Sequence, residues 1–169
     1  INKLPLRKII IFFIILLAFY LRVRHLSTDL LFHRDQGLHS LSVWNIYQNK
    51  QFSLLGHPSD VDGLTHAPIY YWLMLPAYAL SGGSPAVASL FQIILEVLSL
   101  PLLFLAIKKL FNQKTAFLTL LIYSVSYGGI SLSRWLVNVT PILPFVNLLL
   151  YLLVYHSKVF IVSLVVGII

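Results

Sequence analysis

Apolar residues run through this chain in blocks, each bounded by cations or by small and polar residues. Residues 9–21 are unbroken hydrocarbon and aromatic, and the run extends to residue 26 if Arg22 and Arg24 reach out toward lipid headgroups. Crossing roughly 30 Å of hydrocarbon takes about 20 helical residues, which residues 6–26 supply. The same pattern predicts spans at 86–107, 115–132 and 141–155, and a further run at 159–169. Residues 67–80 are apolar too, but they carry Pro76, stop at a Ser81-Gly82-Gly83-Ser84-Pro85 break and are short for a span.

The polar positions set the topology. Lys3, Arg7 and Lys8 place the N-terminus in the cytoplasm, so residues 27–85 form the first extracytoplasmic loop. If 67–80 crossed, Lys108, Lys109 and Lys114 would fall outside; a surface or re-entrant helix there leaves them inside, as the positive-inside rule prefers. Within the loop, Leu38, Leu41, Trp44 and Tyr47 recur at helical spacing, which predicts a helix over 36–49 along the membrane surface with Asp35 as its N-cap. Residues 49–63 carry loop signals, among them Gly56-His57-Pro58 and Asp62-Gly63. The expected fold is all-α: a polytopic transmembrane helix bundle with juxtamembrane helices in the first extracytoplasmic loop. Residues 1–169 read as one domain, the N-terminal part of a longer transmembrane domain.

Composition agrees. Of 169 residues, 59% are hydrophobic and 10% charged, with mean hydropathy +0.88, whereas a soluble domain is about a quarter charged. The net charge of +7 sits at the ends of apolar runs, which argues for membrane topology and against nucleic acid as a partner. The absence of cysteine excludes disulfides, thiolate metal sites and a cysteine nucleophile. Arg22, Arg24 and His25 follow the first run where a signal peptide would have small residues, so that run reads as a retained anchor in the cell membrane.

Candidate chemistry concentrates in one place. Asp29, Asp35, Asp60 and Asp62, and all histidines except His156, lie in or next to residues 31–72. Asp35, beside Arg34, suits a general base that stays ionised. His33, Asp35 and His39 are weak candidates for a divalent-metal site, since they lack a tight ligand spacing. Asp60 and Asp62 either solvate a turn or bond sugar hydroxyls. His66, followed by Pro68, Tyr70, Tyr71 and Trp72, reads either as a rim for a polar headgroup or as an ordinary interfacial aromatic belt. Arg134 and Asn138 stand one turn apart at an outer helix end, where an arginine meets an anionic headgroup or merely snorkels. Glu96 is mid-span, with Gln92 as a helical partner. It is either structural or the coupling residue of a transporter or flippase-like protein.

In order, these pieces resemble the N-terminal part of a GT-C class membrane glycosyltransferase, in the branch of protein O-mannosyltransferases and the lipid A aminoarabinose transferase. The likeness rests on Arg34-Asp35-Gln36-Gly37-Leu38-His39, Leu54-Leu55-Gly56-His57-Pro58, His66-Ala67-Pro68-Ile69-Tyr70-Tyr71-Trp72, Lys108-Lys109-Leu110-Phe111-Asn112 and Ser133-Arg134. It implies a polyprenyl-phosphate sugar donor, an acceptor hydroxyl on protein, lipid or glycan, and inverting transfer at the outer face of the bilayer. Asp35 would then be the base, and His66 would stabilise the leaving phosphate. Arg34, Tyr70 and Arg134 would bind substrate or phosphate, and Gln36, His39, Asp60 and Asp62 would touch sugar or acceptor. The chain departs from the pattern at Gln36, where many members have glutamate, at Ala67 in place of a first proline, and near Ser89, where an arginine is missing. This piece on its own is expected to be inactive.

Overall fold

The computed structural model describes residues 6–30, 32–59 and 61–155. They form α1 (Leu6–Val23), α2 (Arg34–Asn49), α3 (Ile69–Ser81), α4 (Pro85–Leu110), α5 (Gln113–Val125), α6 (Tyr127–Arg134) and α7 (Ile142–Tyr155). Among the described residues the fold is all-helical, with one isolated β-bridge between Pro58 and Thr65. The run expected at 159–169, and Asp60, lie outside the described residues.

The other helices gather on α4, which packs against α1, α3, α5, α6 and α7. Pro85 starts it at a position whose missing N–H costs nothing, and Lys108 and Lys109 close it where cations favour the helix dipole. Among the described residues, α4 is the helix long and apolar enough to cross a membrane; α5 and α6 add a second if they count as one broken span. The span expected at 115–132 is broken into α5 and α6, which meet at a bend of 57°. Ser126 adopts an extended conformation there, and its hydroxyl accepts from the Gly129 N–H as the N-cap of α6.

That break explains a second departure. Arg22, expected to snorkel, is 0% exposed. Its Nη1 donates to the Ser124 carbonyl (3.1 Å) and its Nη2 to that of Tyr123 (3.4 Å), groups that the end of α5 leaves without helical partners. The same guanidinium holds Glu96 of α4 through Nε (3.2 Å) and Nη2 (3.0 Å), and the Tyr123 hydroxyl donates to the same carboxylate oxygen at 3.1 Å. Gly129 leaves room for it: a Cβ there would lie 3.3 Å from Arg22 Nη2. Arg134, at the end of α6, returns the contact. It donates to the carbonyls of Leu21 (2.9 Å), Arg22 (2.9 Å) and Arg24 (2.7 Å), closing the C-terminus of α1. Each arginine thus caps the helix end that carries or adjoins the other.

Gln92 does not pair with Glu96, as its spacing suggested. Its Nε2 donates to the Ser133 (3.1 Å) and Trp135 (3.0 Å) carbonyls at the end of α6, and its Oε1 lies 3.0 Å from the Thr140 hydroxyl. Farther along α4, Ser99 receives a bond from Asn147 of α7 at 2.8 Å. The buried polar stripe of α4 therefore ties together helix ends and neighbours, and its groups are satisfied where an unpaired one would be costly.

Helix α2 packs on this frame through α3, which at 13 residues is about 20 Å long. Val43 and Ile46 of α2, Tyr70, Tyr71, Met74, Ala77 and Tyr78 of α3, Ala88 of α4 and Leu136 form one apolar cluster. A Ser40–Tyr78 hydroxyl bond crosses it.

Candidate functional site

The N-terminus of α2 differs from expectation in a way that matters for Asp35. His33 is the N-cap, and its N–H donates to Gln36 Oε1 at 2.8 Å. Asp35 sits inside the first turn, exposed, where the helix dipole favours a carboxylate. It makes no hydrogen bond among the described residues, so its oxygens are open to a ligand or acceptor. Arg34 is exposed beside it, while Gln36 is buried and committed to the cap.

Residues 56–59 pair back against residues 64–66 as a short hairpin. The Gly56 N–H donates to the His66 carbonyl (2.9 Å), the His66 N–H to the His57 carbonyl (2.8 Å) and the Ser59 N–H to the Leu64 carbonyl (2.9 Å). The two arms run so close that a Cβ on Gly56 would lie 2.4 Å from the His66 oxygen and 2.7 Å from that of Ala67. Gly56→Ala must therefore push the arms apart. The expected cost is about 1–3 kcal/mol, read as faster limited proteolysis within residues 51–66; unchanged cleavage would show that the arms tolerate the methyl group.

This hairpin delivers His57 to His39. Their ring centroids are 4.8 Å apart, and Tyr70 and Tyr71 stand 5.4 and 6.0 Å from His39. His39 is 3% exposed, and its Nδ1 finds no hydrogen-bond partner among the described residues; the Tyr70 hydroxyl is likewise buried and unpartnered. Burial, reinforced by His57 and His66 and opposed by Asp35, brings the His39 pKa down to about 4. Burial also pushes the Tyr70 phenol well above its ordinary value.

The sign of the resulting pH effect follows. His39 binds its proton near pH 6.5 in the unfolded chain and near pH 4 in the fold, so its neutral form contributes stability above 6.5 that is lost as pH falls toward 4. Taking purified protein from pH 7 to pH 5 should cost roughly 2 kcal/mol through this group. His39→Asn should flatten that part of the acid profile, and an equally steep profile in the variant would contradict the assignment.

His66 and Tyr70 line a cavity of about 140 Å3 together with Asn138 and the apolar side chains of Leu73, Ile142 and Phe145. His66 itself is exposed. Arg134 lines a different cavity, with Asp29, Tyr127 and Trp135. Asp62 is exposed in the hairpin turn. The structure thus brings His39, His57, Tyr70 and Tyr71 together, sets Asp35 and His66 near them, and leaves Arg134 on the α1–α6 junction. Among the described residues, no three His, Asp or Glu side chains converge to hold a metal ion, so His33, Asp35 and His39 do not assemble the site their order suggests. The sequence reading gave His57 no role; the Gly56-His57-Pro58 motif was the available signal.

No curated protein matches the chain, and no solved structure does. The family model for dolichyl-phosphate-mannose-protein mannosyltransferases matches residues 65–164, from just before His66 through α7 and beyond. The match covers more than half of the chain, taking in His66, the aromatic residues 70–72, Glu96 and Arg134, and it begins after Asp35. This chain belongs to the dolichyl-phosphate-mannose-protein mannosyltransferase family.

Proposed function

We propose that the chain forms the N-terminal part of an inverting membrane glycosyltransferase that moves a sugar from a polyprenyl-phosphate donor to an acceptor hydroxyl at the outer face of the bilayer. The family match over residues 65–164 carries this reading. In it, α1, α4, the α5–α6 pair and α7 cross the membrane, and α2 and α3 lie in the outer loop.

Asp35 takes the acceptor hydroxyl proton as that oxygen attacks the anomeric carbon from the side opposite the phosphate. The bond from that carbon to the phosphate oxygen breaks, and polyprenyl phosphate leaves with the electron pair. Its exposed, unengaged carboxylate at the start of α2 supports this role. His66, on the rim of the cavity it shares with Tyr70 and Asn138, donates to the leaving phosphate. Arg34 adds positive charge beside the base. Arg134 has Nε and Nη2 engaged with α1, so its share of phosphate binding falls to Nη1. Gln36 offers only its amide nitrogen, since its oxygen holds the cap. His39, Asp60 and Asp62 complete the contacts to sugar and acceptor.

Glu96 as the coupling residue of a transporter is disfavoured by its burial against Arg22 and Tyr123. The reading is tested by incubating membranes that carry the full-length enzyme with a panel of radiolabelled polyprenyl-phosphate sugars and determining the anomeric configuration of the product. Transfer with inversion is expected; a product that retains configuration would contradict the single displacement.

A further inference from the structure

The first turn of α1 carries Arg7 and Lys8, the end of α4 carries Lys108 and Lys109, and the start of α5 carries Lys114; α1 and α4 both pack on α5. No described carboxylate accompanies them: Asp29, Asp35 and Asp62 belong to the outer loop, and Glu96 is held by Arg22. Arg7 Nη1 donates to Gln113 Oε1 at 3.2 Å, which fixes the α1 terminus beside that of α5. Between them runs an open groove of about 480 Å3 lined by Arg7, Asn112, Gln113, Lys114 and Phe117. The Asn112 side-chain oxygen is spent on Thr115, accepting from its N–H at 2.9 Å and its hydroxyl at 3.2 Å. The groove therefore presents two cations from two helices and one aromatic wall. Exposed Leu110 and Phe111 stand next to it in the chain.

Positive charge at a cytoplasmic helix end is ordinary. A cavity between two such charges, lined by an aromatic ring and clear of any described carboxylate, is more selective than that. We propose that this groove binds the phosphate of an anionic glycerophospholipid of the cytoplasmic leaflet. Arg7 and Lys114 hold the phosphate, the guanidinium through the donors that Gln113 leaves free, and Phe117 lies along the upper acyl chain. The proposal rests on the membrane placement given under the proposed function. Such a lipid would pin the α1–α5 junction at the end opposite the outer loop.

The test reconstitutes the protein in vesicles of mixed phosphatidylglycerol and phosphatidylcholine and counts co-purifying lipid by native mass spectrometry. Wild type should retain phosphatidylglycerol over phosphatidylcholine, and Arg7→Gln/Lys114→Gln should lower that retention roughly tenfold. Arg24→Gln/Lys50→Gln, which removes equal charge elsewhere, should leave it unchanged, as should excess inorganic phosphate. Retention unaltered by Arg7→Gln/Lys114→Gln, equal loss in both double variants, no headgroup preference, or displacement by inorganic phosphate would each overturn the groove. Release of the protein from vesicles by alkaline carbonate would instead overturn the membrane placement, so the two failures are distinguishable.

Discussion

In the full-length enzyme, Asp35→Asn is expected to lower sugar transfer by roughly two to four orders of magnitude, the range a positioned general base contributes. The substitution keeps the size and shape of the side chain and removes its ability to accept a proton. Asp35 is exposed, and the α2 cap belongs to His33 and Gln36, so the variant should fold and should still bind the donor lipid. The expected signature is a fall in kcat with little change in KM for the donor, because the base acts in the transition state and not in donor binding. Loss of expression, or a rise in KM at constant kcat, would make Asp35 a structural or binding residue instead.

Arg22→Met costs about 3–5 kcal/mol, because it strands the Glu96 carboxylate in the packed interior. It also strips the Tyr123 and Ser124 carbonyls of their donor at the break between α5 and α6. Arg22→Met/Glu96→Met should recover much of that loss, since a buried pair replaced by apolar side chains of similar volume is often neutral or better. The freed carbonyls keep the recovery incomplete. Thermal midpoints of the purified single and double variants check this, with the cycle isolating the pair. Additive losses would mean that the two side chains do not stabilise one another.

The apolar blocks made the helical architecture and the length of α4 legible, because crossing length and periodicity are local properties of sequence. The break at Ser126 was not legible: Ser126-Tyr127-Gly128-Gly129 sits inside an otherwise apolar run, and a capping hydroxyl there looks like one more tolerated serine. Arg22 was misread for a related reason. An arginine near the end of an apolar run ordinarily snorkels, and its partner is 74 residues away, beyond any local pattern. The sequence offered Asp35, His66 and Tyr70 as candidates, but the hairpin that brings His57 onto His39 depends on backbone pairing across Gly56 and was not legible. The cap of α2 lies two positions before the expected Asp35, at His33, whose N–H is taken up by the side-chain oxygen of Gln36 three residues on.

The most direct measurement is sugar transfer from polyprenyl-phosphate donors per mole of folded full-length enzyme, comparing wild type, Asp35→Asn and Arg22→Met/Glu96→Met in the same membranes. The account predicts that transfer disappears in Asp35→Asn and survives in the double variant. Transfer that survives in Asp35→Asn but disappears with the Arg22–Glu96 pair would contradict it and place the working residue inside the bundle.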